Sequence, residues 1–337
     1  MQTAFVARFY PSGPWRIAAD SGDPEGAAAV LHSDAVYSAV TWAMERLGVL
    51  PEWLDAVFGR PDSPAVRFSS AFPFLDPWLF VPPPSHLWPP PPSTKIRWKG
   101  AQFIPLEAAQ ALLKGEALAE EQWRVDGESQ CLLPAECESS PFRFAVRSAC
   151  TVDRMEQGAA VKRLGCVEFA SSAGMWLLAA FSDAEAGSRW EQALKAALLL
   201  LGDSGIGGRR SVGWGGARRV EFEEAGWWSA LSPSEPPSEA AEPTAWWLLS
   251  AFSPSEQDAV DWTKGHYQVL ERNGRVEAAA GGALKRPTRM VAEGSVLFAP
   301  QVPCGRALEV APEGLPHPVY RAGFALAAEI VWGEPVK

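Results

Sequence analysis

The sequence predicts an α+β protein built from two β-rich units, the first carrying helices and a glycine-rich loop. Three observations point there. The opening segment, Thr3 to Tyr10, is aromatic and apolar and is stopped by Pro11, Gly13 and Pro14, which marks a strand. Two later stretches repeat apolar residues at helical spacing, and the second runs directly into Gly205-Ile206-Gly207-Gly208-Arg209-Arg210-Ser211-Val212-Gly213-Trp214-Gly215-Gly216. After an acidic stretch of Pro and Ser, the last third shows mainly strand patterns.

The elements follow in order. Ser33 is read as the N-cap of a helix with Val36, Ala39, Val40, Ala43 and Leu47 on one face, ended by Gly48. Residues 71–92 are proline-dense, and Pro82 to Pro92 cannot join a central strand or a helix interior, so a stiff surface loop is expected. A short helix is expected from Leu106 to Leu113. Phe142, Phe144 and Val146 alternate with Arg143, Ala145 and Arg147, giving one apolar face and one face with two arginines. Val167 to Ala170 and Met175 to Phe181 read as a hairpin across Ser171 to Gly174, and Asp153 to Arg163 as a projecting loop.

The clearest helix carries Trp190, Ala193, Leu194, Ala197, Leu198 and Leu201, with Ser188 and Glu191 as a capping pair and a stop at Gly202. Ala217 to Phe222 returns as a strand. Strand, helix, strands, helix, glycine loop, strand is the order of a decorated ferredoxin-like or RRM-like βαββαβ unit, placed at 1–225. An exposed linker is expected at 226–243. A smaller β-rich unit at 244–337 would hold strands at Trp246–Phe252, Tyr267–Leu270, Ser295–Phe298 and Tyr320–Trp332, a turn at Asn273-Gly274 and weak helical periodicity at Glu256–Trp262.

Composition narrows the function. The chain has 337 residues, 47% of them hydrophobic, and no run of apolar residues long enough for a membrane span, so a cytoplasmic protein without a membrane partner is expected. Its five cysteines include no CxxC pair and it has only four histidines, so neither a metal nor a cofactor is expected. A net charge of −10 argues against bulk attraction to phosphate. The charge is segregated, however: residues 141–220 hold eleven Lys/Arg against seven Asp/Glu, and residues 221–262 hold nine Asp/Glu with no Lys or Arg. That pattern suits a local basic track on an acidic protein.

Seven of the fifteen residues from Gly202 to Gly216 are glycine, a costly segment to order between a helix and a strand. Glycine backbone N–H groups can approach a phosphate, Arg209 and Arg210 supply charge, Ser211 a hydroxyl and Trp214 a stacking surface. The same groups fit a nucleotide or a nucleic-acid backbone. A dinucleotide fingerprint follows a strand and opens a helix, the reverse of the order here, and a Walker A loop needs Gly-Lys before Ser or Thr. Both nucleotide folds are disfavoured.

A glycine-rich loop after the second helix of such a unit resembles the signature loop of the RAMP superfamily of CRISPR proteins. Further segments are similar to the fourth subunit of the type III-A, or Csm, effector complex: Leu31 to Ala35, Ser70 to Phe74 leading to Leu79 to Pro82, Lys99 to Pro105, Arg147 through Arg154, Asp203 to Gly215, Arg289 to Ser295 and His317 to Gly323. The resemblance implies two RRM-like domains and a non-catalytic antiviral role. It also implies a partner set: the 5′ tag of the CRISPR RNA, a large polymerase-like subunit, a backbone subunit and target RNA nearby. By carry-over Gly205, Gly207, Gly208, Arg209, Arg210 and Ser211 hold the tag, with Trp214 beside them, and the track extends to Arg147, Arg154, Lys162 and Arg163. The Pro-Trp run after Val81 and the acidic linker depart from the family pattern.

No catalytic residue is assigned. An RNA-cutting relative would need a general acid or base, for which His32, Tyr37, His266 and Tyr267 are the candidates, and His32 sits where capping or packing explains it better. Asp20, Asp23 and Glu25 lie in a turn-rich loop that reads as solvated. The alternatives to an RNA-holding scaffold are a CRISPR-RNA-processing endoribonuclease of the same superfamily and a protein-only adaptor.

Overall fold

The computed structural model describes residues 3–19, 22–60, 63–90, 96–152, 159–232, 243–276 and 282–330. The first half of the chain runs β1 (Ala4–Pro11), α1 (Ser33–Arg46), α2 (Leu50–Phe58), β2 (Val66–Phe68), β3 (Phe72–Leu75), β4 (Trp78–Val81), β5 (Ile104–Pro105), α3 (Leu106–Leu113), β6 (Trp123–Val125) and β7 (Leu132–Pro134). There follow β8 (Phe142–Val152), β9 (Ala159–Phe169), β10 (Ala173–Phe181), α4 (Ala184–Ser204) and β11 (Ala217–Glu224). The last third holds β12 (Thr244–Leu248), β13 (Val269–Arg272), β14 (Thr288–Val291), β15 (Val296–Ala299), β16 (Gly305–Glu309), β17 (Tyr320–Phe324) and β18 (Ala327–Ile330). The protein is thus a mixed α/β chain, with no helix longer than a 3₁₀ turn after α4 among the described residues.

The main sheet has the order β11-β1-β10-β3-β4-β5, with β2 also beside β10. β1 lies antiparallel between β10 and β11, and its alternation splits the core, because successive side chains of a strand point to opposite faces. Phe5, Ala7 and Phe9 pack with Val40 of α1, Trp53 of α2 and Trp190 and Leu198 of α4. Val6 and Tyr10 face a second core, where Phe72, Phe80, Trp176 and Trp228 meet Trp247, Leu249, Val296 and Ile330 of the last third. That core is therefore built jointly by both parts of the chain.

Several sequence expectations change. Helix α1 begins at Ser33, but His32 is its cap residue and no side chain caps it. The Ser33 hydroxyl instead accepts from Ala251 N at 3.1 Å, tying the helix to the last third. Helix α2 was not anticipated; it is nine residues long, opens with a proline and buries only Trp53 and Val57, too short a pattern to stand out. Helix α4 starts at Asp183, whose carboxylate accepts from Ala186 N at 2.8 Å, while Ser188 and Glu191 lie inside it. Gly202 does not stop α4. It lets the helix close on β11, since a Cβ there would sit 2.7 Å from Val220 Cγ2.

The expected hairpin between Val167–Ala170 and Met175–Phe181 does not form. β9 pairs with β8 along its whole length, and β10 enters the main sheet. Residues 159–163 are strand rather than loop. Both segments are apolar enough to pair with either neighbour, and long-range packing decides. Asn273-Gly274 is not a hairpin turn, because pairing continues past it to a bridge between Arg275 and Leu284. Glu256–Trp262 forms turns, in which Asp258 accepts from the backbone N–H of Ser255 and of Cys304, both at 2.6 Å. Most of the expected linker, and Trp332, lie outside the described residues.

The Pro-Trp run does more than wrap a surface. Trp88 stacks on Trp98 with centroids 5.4 Å apart, and Ser85 N donates to Gly294 O at 2.9 Å. Two buried polar clusters join the two parts of the chain. His32 Nδ1 lies 3.0 Å from Glu293 Oε1, and Ser70 Oγ donates to the same carboxylate. Burial would raise that carboxyl, but His32 and Ser70 outweigh it and hold Glu293 below the usual glutamate value. The second cluster sets Asp34 against Arg272 at 3.0 Å and Arg321 at 3.4 Å.

Candidate RNA interface

The loop from Gly205 to Gly216 joins α4 to β11 and is cinched onto residues 12–16. Gly205 ends α4 with φ +85°, and its N–H donates to Leu201 O at 2.9 Å. Gly208 N donates to Arg16 O at 2.9 Å, Gly215 N to Pro14 O at 3.0 Å, and Ile206 N to Gly215 O at 3.0 Å. These bonds explain most of the glycines. A Cβ at Gly207 would lie 2.5 Å from Arg16 O, one at Gly205 2.7 Å from Trp214 O, and one at Gly215 would run into Ile206 O. Gly213 alone of these faces open space, at φ +83°. The loop is a folded cradle whose outer surface, at Arg209, Ser211, Val212 and Gly213, is solvent-exposed.

Gly215→Ala is accordingly expected to destroy this cradle, since it combines a positive φ with a backbone collision, each worth on the order of 1–3 kcal/mol. A lowered thermal midpoint with loss of protection of Gly208 N–H from hydrogen exchange checks it.

Arg210 extends over the ring of Trp42, 5.3 Å from its centroid, and Arg46 approaches the same ring at 5.4 Å. Trp42 sits on the polar side of α1 next to Ser38 and Ala39. A tryptophan on the outward face of an amphipathic helix was the available signal, and it was missed. Trp214 is half-buried.

The β8–β9 ribbon is the second part of the predicted track. Arg147 donates to Glu168 Oε1 through Nε at 2.9 Å and Nη2 at 2.6 Å, and Arg143 takes the other oxygen at 3.0 Å. The Arg147 hydrogen bonds are the largest influence on Glu168; with Arg143 they outweigh its burial and hold its carboxyl below the ordinary range. Arg147 is thus partly neutralised, while two arginines on one glutamate leave the site net positive. Arg163 pairs with Glu25 at 3.3 Å, and Lys162 is exposed further out on β9. Arg154 lies outside the described residues.

Segment 12–16 brings loop and ribbon together. Trp15 bridges Val167 of β9 through paired backbone bonds of 2.9 and 2.8 Å, and its indole donates to Gly216 O at 3.1 Å. Arg16 accepts from Gly208 and sends Nη1 to Gly165 O at 2.6 Å. Neither residue stood out in the sequence, because the partners are some 150–200 positions away.

Between α1, the loop, residues 272–274 and Lys285 lies a cleft of about 250 Å³. Its walls include Trp42, Gly207 and four cationic side chains, Arg210, Arg272, Lys285 and Arg321, against one carboxylate, Asp34. Such a balance favours an anion. The nuclease candidates do not assemble around it. Tyr37 is buried and donates to Val66 O at 3.0 Å, with burial pushing its hydroxyl pKa upward. His32 is committed to Glu293, and the His266 ring packs edge-on against His86, 4.5 Å away. Asp23 accepts from Glu25 N at 2.9 Å within its own turn, and no three metal-ligating side chains cluster among the described residues.

A basic, glycine-cradled loop thus lies beside a long two-stranded ribbon, on a sheet backed by helices. Residues 241–330 match the family model of the CRISPR Csm4 C-terminal domain. The fold matches a chain of the Csm3-Csm4 subcomplex of a type III-A CRISPR-Cas interference complex over 97% of this chain and 98% of that one, at TM-score 0.65 and 14% identity. It also matches a chain of the Csm1-Csm4 cassette in complex with pppApA, over 98% and 99%, at TM-score 0.58 and 18% identity. No curated protein matches the sequence. Residues 241–330 therefore carry a Csm4 C-terminal domain, and over nearly its whole length the chain shares the fold of those matched chains.

Proposed function

We propose that this subunit holds the 5′ tag of the CRISPR RNA without cutting it, and links a large polymerase-like Csm1 subunit to a Csm3-type backbone subunit, with target RNA close by. The observation that carries the reading is the stapling of the glycine loop and the ribbon to one segment, 12–16, which joins Arg209, Arg210 and Ser211 to the Arg147–Lys162–Arg163 track. Single-stranded RNA is recognised by such a combination of cations along the backbone and aromatic surfaces for splayed bases. The cleft beside Trp42 and Arg210 is large enough for one nucleotide of the tag.

The partner assignment draws on the matched structures, which contain Csm3 or Csm1 beside Csm4. The ferredoxin-like character of residues 1–225 is supported by the antiparallel order β11-β1-β10-β2 with α1 and α4 against one face. Residues 244–337 form the second, smaller unit in this reading, and a cytoplasmic location goes with it. No helix among the described residues is long and apolar enough to cross a membrane.

One experiment tests both halves of the proposal. The full chain, assembled with its neighbours, is incubated without metal with tagged guide RNA and with precursor repeat RNA. Protection of the tag nucleotides from nuclease and an uncut precursor are expected. A discrete cut abolished by His32→Ala or His266→Ala would replace the scaffold with an endoribonuclease, and an RNA-free assembly would leave a protein-only adaptor.

A further inference from the structure

We propose that a small cavity between the two parts of the chain binds a monovalent inorganic anion of chloride size, held by Arg67 and Trp228. The cavity measures about 40 Å³ and is walled by Arg67 of β2, Ser182 at the end of β10, Trp228, Val302 and Leu326. A single water needs roughly 10–15 Å³ of such space, so there is room for one chloride but not for a phosphate ester or an organic acid. The remaining wall is Ser232 together with apolar Ala180, Phe181, Ala325 and Ala327.

Two residues of this wall each carry a donor without a hydrogen-bond partner, Arg67 Nε and Trp228 Nε1, each closed off from solvent. Trp228 as a whole is 2% exposed. An indole N–H and a guanidinium only donate, so what completes them must accept. A water would accept from both yet leave the arginine charge uncompensated. Arg67 has no carboxylate within ion-pair distance among the described residues; its Nη2 donates to Cys304 Sγ at 3.0 Å. Asp258, the acid tied to the same corner, spends its oxygens on the N–H groups of Ser255, Cys304 and Gly305. Arg67 is partly buried, with its Nε closed off from solvent, and a monovalent anion there supplies acceptor and counter-charge together.

This site is separate from the RNA interface. Ala180 pairs with Ala4 at one end of β1, whereas the glycine loop enters β11 opposite Pro11 at the other end, on the order of 20 Å away. With walls from both parts of the chain, the anion would act as a bolt between them.

Crystals of the full chain grown in sodium bromide test the proposal by anomalous scattering. A bromide peak in the cavity, within hydrogen-bond reach of Arg67 Nε and Trp228 Nε1, is expected, and so is its loss in Arg67→Met. In solution the thermal midpoint is expected to rise by about 2 °C in sodium chloride over sodium gluconate at matched ionic strength, since a ligand of the folded state alone stabilises it. Trp228→Phe keeps the ring and should abolish that rise, which decides the matter if Arg67→Met does not fold. Water alone in the cavity, bromide found only on the surface, or a chloride effect undiminished in Trp228→Phe would overturn it.

Discussion

Replacing Arg209 and Arg210 together with alanine is expected to weaken guide-RNA binding about 10- to 100-fold and to expose the 5′ end of the bound RNA to nuclease. Each charge-assisted hydrogen bond to a phosphate is worth roughly 1.5–3 kcal/mol before rearrangement, and two side chains are lost. The slope of log affinity against log salt should fall by about 1.4, at about 0.7 for each single-strand phosphate released. Arg209 is exposed on the outer surface of the cradle, so its removal disturbs no packing. Arg210 also leaves the face of Trp42, which removes a cation–π contact and frees the ring. Filter binding across a salt series and 5′-end footprinting of the assembled complex measure both effects. Full occupancy with a protected 5′ end would remove the loop from the RNA site.

Asp34→Ala is expected to cost the fold about 3–5 kcal/mol, the range for deleting one partner of a buried ion pair. Asp34 faces Arg272 at 3.0 Å and Arg321 at 3.4 Å, and Arg321 is 3% exposed. Burial pulls the Arg321 guanidinium below its ordinary pKa, against the opposing pull of Asp34, which marks how costly the charge is at that position. Arginine cannot shed its proton in compensation, so the charge remains after the carboxylate is gone. Arg321 also donates to Asn273 O at 3.1 Å and Thr288 Oγ1 at 2.5 Å, which should keep the residual structure native-like. Denaturant unfolding of the full chain reads the loss, and a change below about 1 kcal/mol would mean that the cluster is held by those neutral bonds instead. Because Asp34 belongs to α1 and Arg272 to β13, the same variant should loosen the cleft beside the glycine loop.

The contrast between the two variants follows the contrast between what was and was not legible in the chain. Helix α3 was readable to its last residue, and so was the placement of the glycine loop between a helix and a strand, because apolar spacing and glycine density are local properties. Arg209 and Arg210 could be named from the sequence for that reason. The role of the surrounding glycines could not. Gly205, Gly207 and Gly215 read as openings for a phosphate, but their missing Cβ atoms make room for the carbonyls of Trp214, Arg16 and Ile206.

The amino-acid sequence by itself determined that this is an α+β chain with two strong amphipathic helices, a basic glycine loop after the second, and an arginine-bearing strand near the middle. Only the tertiary structure decided that β9 pairs with β8 rather than β10, that Arg16 staples loop to ribbon, and that Asp34 meets Arg272 and Arg321, both more than two hundred positions ahead. The physical reason is one of range. Helical and strand periodicity is written within a dozen residues, whereas strand partners, buried counter-charges and close backbone approaches depend on which distant surfaces fill one core, and here a single core is filled from both ends of the chain.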